Sequence, residues 1–154
     1  MTKFNPVTEE VLAELRAIVG EEFVKNDEET LNRYKTDEEP DVKFHHLPEV
    51  VVWPACTEEV AAIVKLANKY LVPITPRGGG TSVSRGAIPV CGGIVLMTDR
   101  MDKILAIDTD AMYMTVQAGA RTVEIQQLAN ENGLLYAGDP CSAESCLIGG
   151  NLAT

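Results

Sequence analysis

The stretch Pro76-Arg77-Gly78-Gly79-Gly80-Thr81-Ser82 carries the residue types that hold a phosphorylated ligand. Three consecutive glycines let a backbone approach a ligand closely and take positive φ at no steric cost. Thr81 and Ser82 add hydroxyl donors, and Arg77 adds a permanent cation with a forked set of N–H groups. A run of free amides beside an arginine is how a backbone cradles a diphosphate. The chemistry implied is the binding of a nucleotide cofactor. Spacing excludes two common versions of such a loop. A P-loop requires Gly-Lys-Ser/Thr after four intervening residues, and no lysine lies between Lys69 and Lys103. In a G-x-G-x-x-G fingerprint Gly78 and Gly80 fit the first half, but Val83 stands where the last glycine belongs.

Other reactive side chains offer less. Cys56, Cys91, Cys141 and Cys146 show no paired Cys/His spacing, so no metal site is expected and the thiols read as reduced. Cys146 has no base near it in sequence and reads as a buried or bystander thiol. His45 and His46 lie outside any motif and read as a solvated pair. No catalytic residue is assigned.

The elements around the loop follow from periodicity. Val50-Val51-Val52-Trp53 is a β-branched run and reads as a buried strand. A helix begins at Thr57 with Glu58 and Glu59, and Val60, Ile63, Val64, Ala67 and Leu71 form its apolar stripe. Pro73-Ile74-Thr75-Pro76 reads as a second strand. Strand, helix and strand make a right-handed βαβ unit, which places the glycine loop at the carboxyl end of a parallel strand. Open α/β sheets take their ligands there.

Ile94-Val95-Leu96-Met97 is a third apolar run. Ile104–Ile107 and Met112–Val116 flank a turn at Asp108-Thr109-Asp110 and predict a hairpin, with Met112, Met114 and Val116 on its buried face. Thr122 caps a helix bearing Ile125, Leu128 and Ala129, which Gly133 ends. Upstream, Thr8 caps a helix whose face is Val11, Leu12, Leu15, Ile18 and Val19, and Gly20 stops it. Residues 21–47 read as an acidic arm or irregular loop with short helical pieces. The fold class expected is α/β (α+β): a small mixed sheet with a βαβ unit and packed helices. Residues 1–39 form an N-terminal helix and acidic arm, and residues 40–154 the ligand-binding domain. The glycine-bearing segment 138–151 reads as a loop running into the chain end, as though the fold were cut midway.

Composition narrows the partners. The chain carries a net charge of −10, and residues 1–49 hold 13 Asp/Glu against 6 Lys/Arg. Such a surface repels a nucleic-acid backbone. No apolar run approaches the ~20 residues that span a bilayer, and the first residues lack the apolar core of a signal peptide, so a cytoplasmic location is expected.

Four ordered motifs together carry a resemblance. They are Val52-Trp53-Pro54 with Thr57-Glu58-Glu59-Val60; Pro73 through Ser82; Met101-Asp102-Lys103-Ile104 with Val116-Gln117-Ala118-Gly119; and Asp139-Pro140 with Ile148-Gly149-Gly150-Asn151. From about residue 40 onward the chain resembles the first lobe of the FAD-binding domain of the PCMH-type (vanillyl-alcohol-oxidase) oxidoreductases, in the branch of glycolate oxidase D subunits and D-lactate dehydrogenases. The resemblance implies that Pro76, Arg77, Gly78, Gly79, Gly80, Thr81 and Ser82 wrap the FAD diphosphate. It implies that Gly119, Asp139, Pro140, Ser142, Ser145, Gly149 and Gly150 line the flavin and ribityl side. Thr81 stands where some relatives carry a histidine bonded to the flavin, so attachment is expected to be non-covalent. Leu147 replaces the threonine or serine common at its position and removes one hydroxyl contact.

The implied reaction is hydride transfer from a 2-hydroxy acid, such as glycolate or D-lactate, to FAD. An electron-transferring flavoprotein, a quinone and a cytochrome are the candidate acceptors. The second lobe and the substrate-binding cap of such enzymes are expected to be absent here, and the open sheet is expected to self-associate. Two alternatives stand beside this reading. One is another member of the superfamily, such as UDP-N-acetylenolpyruvoylglucosamine reductase; the other is a truncated lobe that folds without turning over substrate.

Overall fold

The computed structural model describes residues 3–153. Its centre is β2 (Val50–Val52), whose three valines are fully buried. β1 (Val24–Lys25) pairs antiparallel with one edge of β2, and β4 (Ile94–Met97) pairs parallel with the other. β3 (Ile74–Arg77) then adds in parallel to β4, so the order is β1-β2-β4-β3 and the sheet is mixed. The two strands of the expected βαβ unit are therefore not neighbours. β4 is wholly apolar and is buried along its length, which suits an interior position. β3 contains Pro76, which donates nothing to a ladder, and takes the edge.

Alternation across β2 and β4 creates two apolar layers. Val50, Val52, Ile94 and Leu96 face α1 (Glu9–Val19) and α3 (Thr57–Tyr70), meeting Val11, Leu12, Leu15, Ile63 and Leu66. Val51, Val95 and Met97 face the opposite way, where Leu31, Tyr34 and Trp53 cover them. α1 begins as expected, with Thr8 Oγ1 accepting the Val11 amide, and stops at Gly20 with φ of +96°. The stripe of α3 differs from expectation: Leu66 is buried, whereas Val64 and Leu71 are exposed. Leu71 sits past the helix end in the left-handed region, which turns its side chain off the stripe.

The acidic segment is not a bare arm. It contains a 3-10 turn at Glu21–Phe23, β1, α2 (Glu28–Arg33) and a second 3-10 turn at Val42–Phe44. Asp27 caps α2 by accepting the Thr30 amide at 2.9 Å. Through Val24 on one face and Leu31 and Tyr34 on the other, this segment seals both sides of the sheet.

β5 (Ile104–Asp108) and β6 (Tyr113–Val116) form the expected hairpin as a separate two-stranded sheet. Met112 is not on its buried face. It lies in the turn with φ of +55° and is exposed, because Asp108 Oδ1 accepts the Ala111 amide at 2.8 Å and lengthens the connection. Met114 and Val116 do pack inward, against Ala120, Ile125 and Ile148. These come from the entry to α4 (Thr122–Glu131), from α4 itself and from α5 (Ile148–Ala153). The final segment is thus a helix where a loop is expected. Burial of Ile148 and the Ile148 amide bond to Ala120 O, 2.9 Å, hold it despite its two glycines.

Candidate functional site

β3 ends on Arg77, and the chain turns at once into Gly78-Gly79-Gly80 at the carboxyl end of the parallel strands. A groove of about 630 Å³ opens beside this turn. Among the described residues, the amides of Gly78, Gly79, Gly80 and Thr81 donate no hydrogen bond. Amides of that kind, within reach of solvent, are available to an anion.

The facing wall comes from the far end of the chain. Gly79 packs so tightly on the Ser145 carbonyl that a β-carbon there would overlap it, and Gly78 lies against Leu147. Segment 145–149 is held in place by the Arg121–Leu147 bridge and by Gly149 N–H donating to Ala118 O at 2.9 Å. Gly119 is buried under the turn at 98–101, donating to Met101 O at 2.7 Å, and a β-carbon would strike Thr98 O. These two glycines are where close backbone approach requires the residue type.

Of the expected site residues, Arg77, Gly78, Gly79, Gly119 and Ser145 line the groove. Pro76 lies in β3, and Gly80, Thr81 and Ser82 continue the turn; none of the four lines the groove. The Ser82 hydroxyl is engaged locally, accepting from the amides of Ser84 and Gly86 at 3.1 and 3.3 Å. Pro140 and Ser142 shape the turn before the wall, Ser142 O accepting from Ser145 and Cys146 amides at 2.8 Å each. Asp139 opens instead onto a second cavity of about 390 Å³ with Gln126 and Tyr136. Gly149 and Gly150 sit in the first turn of α5.

Arg77 does not extend into the groove as a free cation. Its guanidinium is buried behind the loop, with Nη1 donating to Thr36 O at 2.6 Å and to Ala87 O at 3.4 Å. Burial lowers its pKa, and the nearby Asp37, Tyr34 and Glu38 oppose that shift. Two other arginines line the groove: Arg33 at the end of α2 and Arg121 before α4. Both are exposed. Neither guanidinium makes an ion pair or hydrogen bond among the described residues. Tyr34 also lines the groove, and Asp99, Asp102, Glu124 and Glu144 add an acidic side. Sequence reasoning missed these groups. Arg121, two residues after Gly119, was within reach of the motif; Arg33 and Tyr34, on a separate helix, carried no local signal.

Behind the loop, Arg85 joins the acidic segment. It pairs with Glu39 at 2.6 Å and stacks 3.3 Å above the Phe44 ring centroid. His45 is tied to Glu39 O at 3.1 Å and is not part of a solvated pair. Arg85 first, then the Asp41 amide, hold the Glu39 carboxyl below its ordinary range. A depressed carboxyl pKa contributes stability that is complete above the unfolded value, and that contribution disappears as pH falls through the folded one. The protection factor of the Asp41 amide, which donates to Glu39 at 3.0 Å, is therefore expected to stay level down to about pH 4.3 and to drop below it. A factor that falls between pH 8 and pH 5 would contradict this.

The architecture defines a class: α/β domains with a glycine turn at the carboxyl ends of parallel strands, where open sheets take their ligands. Residues 48–154 match the family described as FAD binding domain, and the chain belongs to that family. The domain's cofactor is FAD. The chain is 35% identical over 152 residues to a D-lactate dehydrogenase of Anaerostipes hadrus, covering 99% of this chain and 31% of that protein. It is 33% identical over 146 residues to the glycolate oxidase subunit GlcD of Bacillus subtilis strain 168, covering 95% of this chain and 31% of the relative. Among solved structures, an alkyldihydroxyacetonephosphate synthase superposes with a TM-score of 0.85 at 27% identity, over 100% of this chain and 30% of that one. The chain thus spans about a third of the length of the proteins it matches. No helix among the described residues is long and apolar enough to cross a membrane.

Proposed function

We propose that this chain supplies the FAD-binding part of a flavin-dependent oxidoreductase that oxidises a small 2-hydroxy acid. The diphosphate rests on the turn from Pro76 to Ser82. The flavin and ribityl side runs along Gly119, Asp139, Pro140, Ser142, Ser145, Gly149 and Gly150. The observation that carries the reading is the row of unbonded amides from Gly78 to Thr81 beside a groove. The names of the relatives, a D-lactate dehydrogenase and a glycolate oxidase subunit, support the substrate class. Bound FAD supplies the redox chemistry by accepting hydride from the α-carbon of the acid, and the protein's share is binding and electrostatics. Attachment is non-covalent, since Thr81 offers no imidazole to the flavin.

The electron acceptor is a flavoprotein, a quinone or a cytochrome. Four unpaired cysteines fit a reducing, cytoplasmic setting. Exposed Leu105, Met112, Tyr113 and Leu152 favour self-association.

Titration of the chain with FAD tests the reading through flavin fluorescence and thermal unfolding. FAD at about a hundred times its Kd is expected to add about 2.7 kcal/mol of stability, and denaturation is expected to release all of it. Unchanged fluorescence together with an unmoved transition would refute the cofactor site.

A further inference from the structure

We propose that Arg77 is a positioning residue that fastens segment 34–39 behind the glycine turn, leaving an anionic ligand to the turn's amides and to Arg33. This deepens the FAD reading and rests on it for the ligand, though not for the fastening. Arg77 is 9% exposed, and its Nη1 reaches Thr36 O, 41 residues away in the chain, as well as Ala87 O. Its guanidinium carbon lies 5.4 Å from the centre of the Tyr34 ring. Nη2 lies so close beneath Gly80, whose φ is +73°, that a β-carbon there would collide with it. Swinging the side chain out toward a ligand would strip a buried carbonyl, Ala87 O, and a half-buried one, Thr36 O, of their donor, which opposes any direct role.

Two further ties run between the same segments. Glu38 N–H donates to Ser82 O at 3.2 Å, and Glu39 pairs with Arg85. The turn is thus held from behind at three points by one stretch of chain. That stretch begins with Arg33 and Tyr34, which are groove wall. Arg33 is exposed, and its guanidinium carbon lies 5.8 Å from the centre of the Tyr34 ring. Arg77 therefore sets the shape of the turn and, through Tyr34, the place from which Arg33 meets a phosphate.

The test uses the full chain with Arg77→Gln, Arg77→Lys and Arg33→Gln. Hydrogen exchange at the Glu38 amide reads the fastening. Emission of Trp53, the sole tryptophan, reads Tyr34, whose ring is 5.7 Å away edge-on. FAD affinity at low and high salt reads the charge. In Arg77→Gln, exchange at Glu38 is expected to speed up about tenfold or more. Trp53 emission should shift, and FAD affinity should fall about tenfold with wild-type salt dependence. Arg77→Lys, which keeps one donor for Thr36 O, should restore part of each and serves if the glutamine variant does not fold. Arg33→Gln should leave exchange and emission alone, weaken FAD and flatten the salt dependence.

Wild-type exchange and emission in Arg77→Gln with a flattened salt dependence would overturn the proposal and make Arg77 a direct ligand. Unaltered FAD affinity in Arg33→Gln would remove that residue's part. If the wild type takes up no FAD, the cofactor reading falls, while exchange and emission still decide the fastening.

Discussion

Gly79→Ala is expected to lose FAD while the sheet beneath it survives. The new β-carbon would fall on the Ser145 carbonyl oxygen, with the Ser145 carbonyl carbon next at 3.2 Å. Backbone cannot rotate aside as a flexible side chain would, so either the turn or segment 145–147 must retreat. Overpacking of this kind costs about 1–3 kcal/mol, which a domain of this size tolerates. The retreat also moves the amides of Gly78 to Thr81 off their aim, and aim is their whole contribution. FAD affinity should drop about tenfold to a hundredfold, or ~1.4–2.7 kcal/mol. Gly86→Ala is the control: the nearest atom to its β-carbon is Ser82 Oγ at 3.5 Å, ordinary contact, and FAD titration should match the wild type. Equal FAD binding in the two variants would show that the groove beside Gly79 is not where the diphosphate rests.

Leu15→Ala is expected to have the largest effect on stability. Leu15 is fully buried at the centre of α1 and belongs to the cluster that contains Val50, Ile63 and Ile94. Shortening its isobutyl side chain to a methyl costs about 2–5 kcal/mol, transfer and cavity terms together, against a total of roughly 5–15 for such a domain. The urea midpoint should fall accordingly, and secondary structure across β2 and α3 should be lost in the same transition. Leu135, 81% exposed, offers the matched comparison, with Leu135→Ala expected within about 0.5 kcal/mol of wild type. A Leu15→Ala chain with an unshifted midpoint would mean that α1 is not part of this core in solution.

The helices and the turns between them were legible because their signals act over a few residues. Thr8 and Gly20 bound α1 through a side-chain cap and a positive φ. Valines 50–52 are β-branched with no polar residue among them, so a buried strand follows directly. The glycine turn was recognisable for a similar reason: three consecutive glycines after a strand are a local signal for backbone that can approach a ligand closely. Met112 misled because alternation alone does not say where a strand begins; one Asx-type bond from Asp108 moved that start to Tyr113.

Chain order and residue type by themselves determined that this protein is an α/β domain with a glycine turn after a parallel strand, since those features arise from steric rules within a dozen residues. Tertiary structure alone decided that β4 separates β2 from β3, that 148–153 winds into a helix and that Arg33 and Tyr34 wall the groove. It also decided that Arg33 and Arg121 stand exposed at the groove while Arg77 is buried. A guanidinium turns toward the carbonyls that need it, and for Arg77 those belong to Thr36 and Ala87, residues that only the folded chain brings to its side.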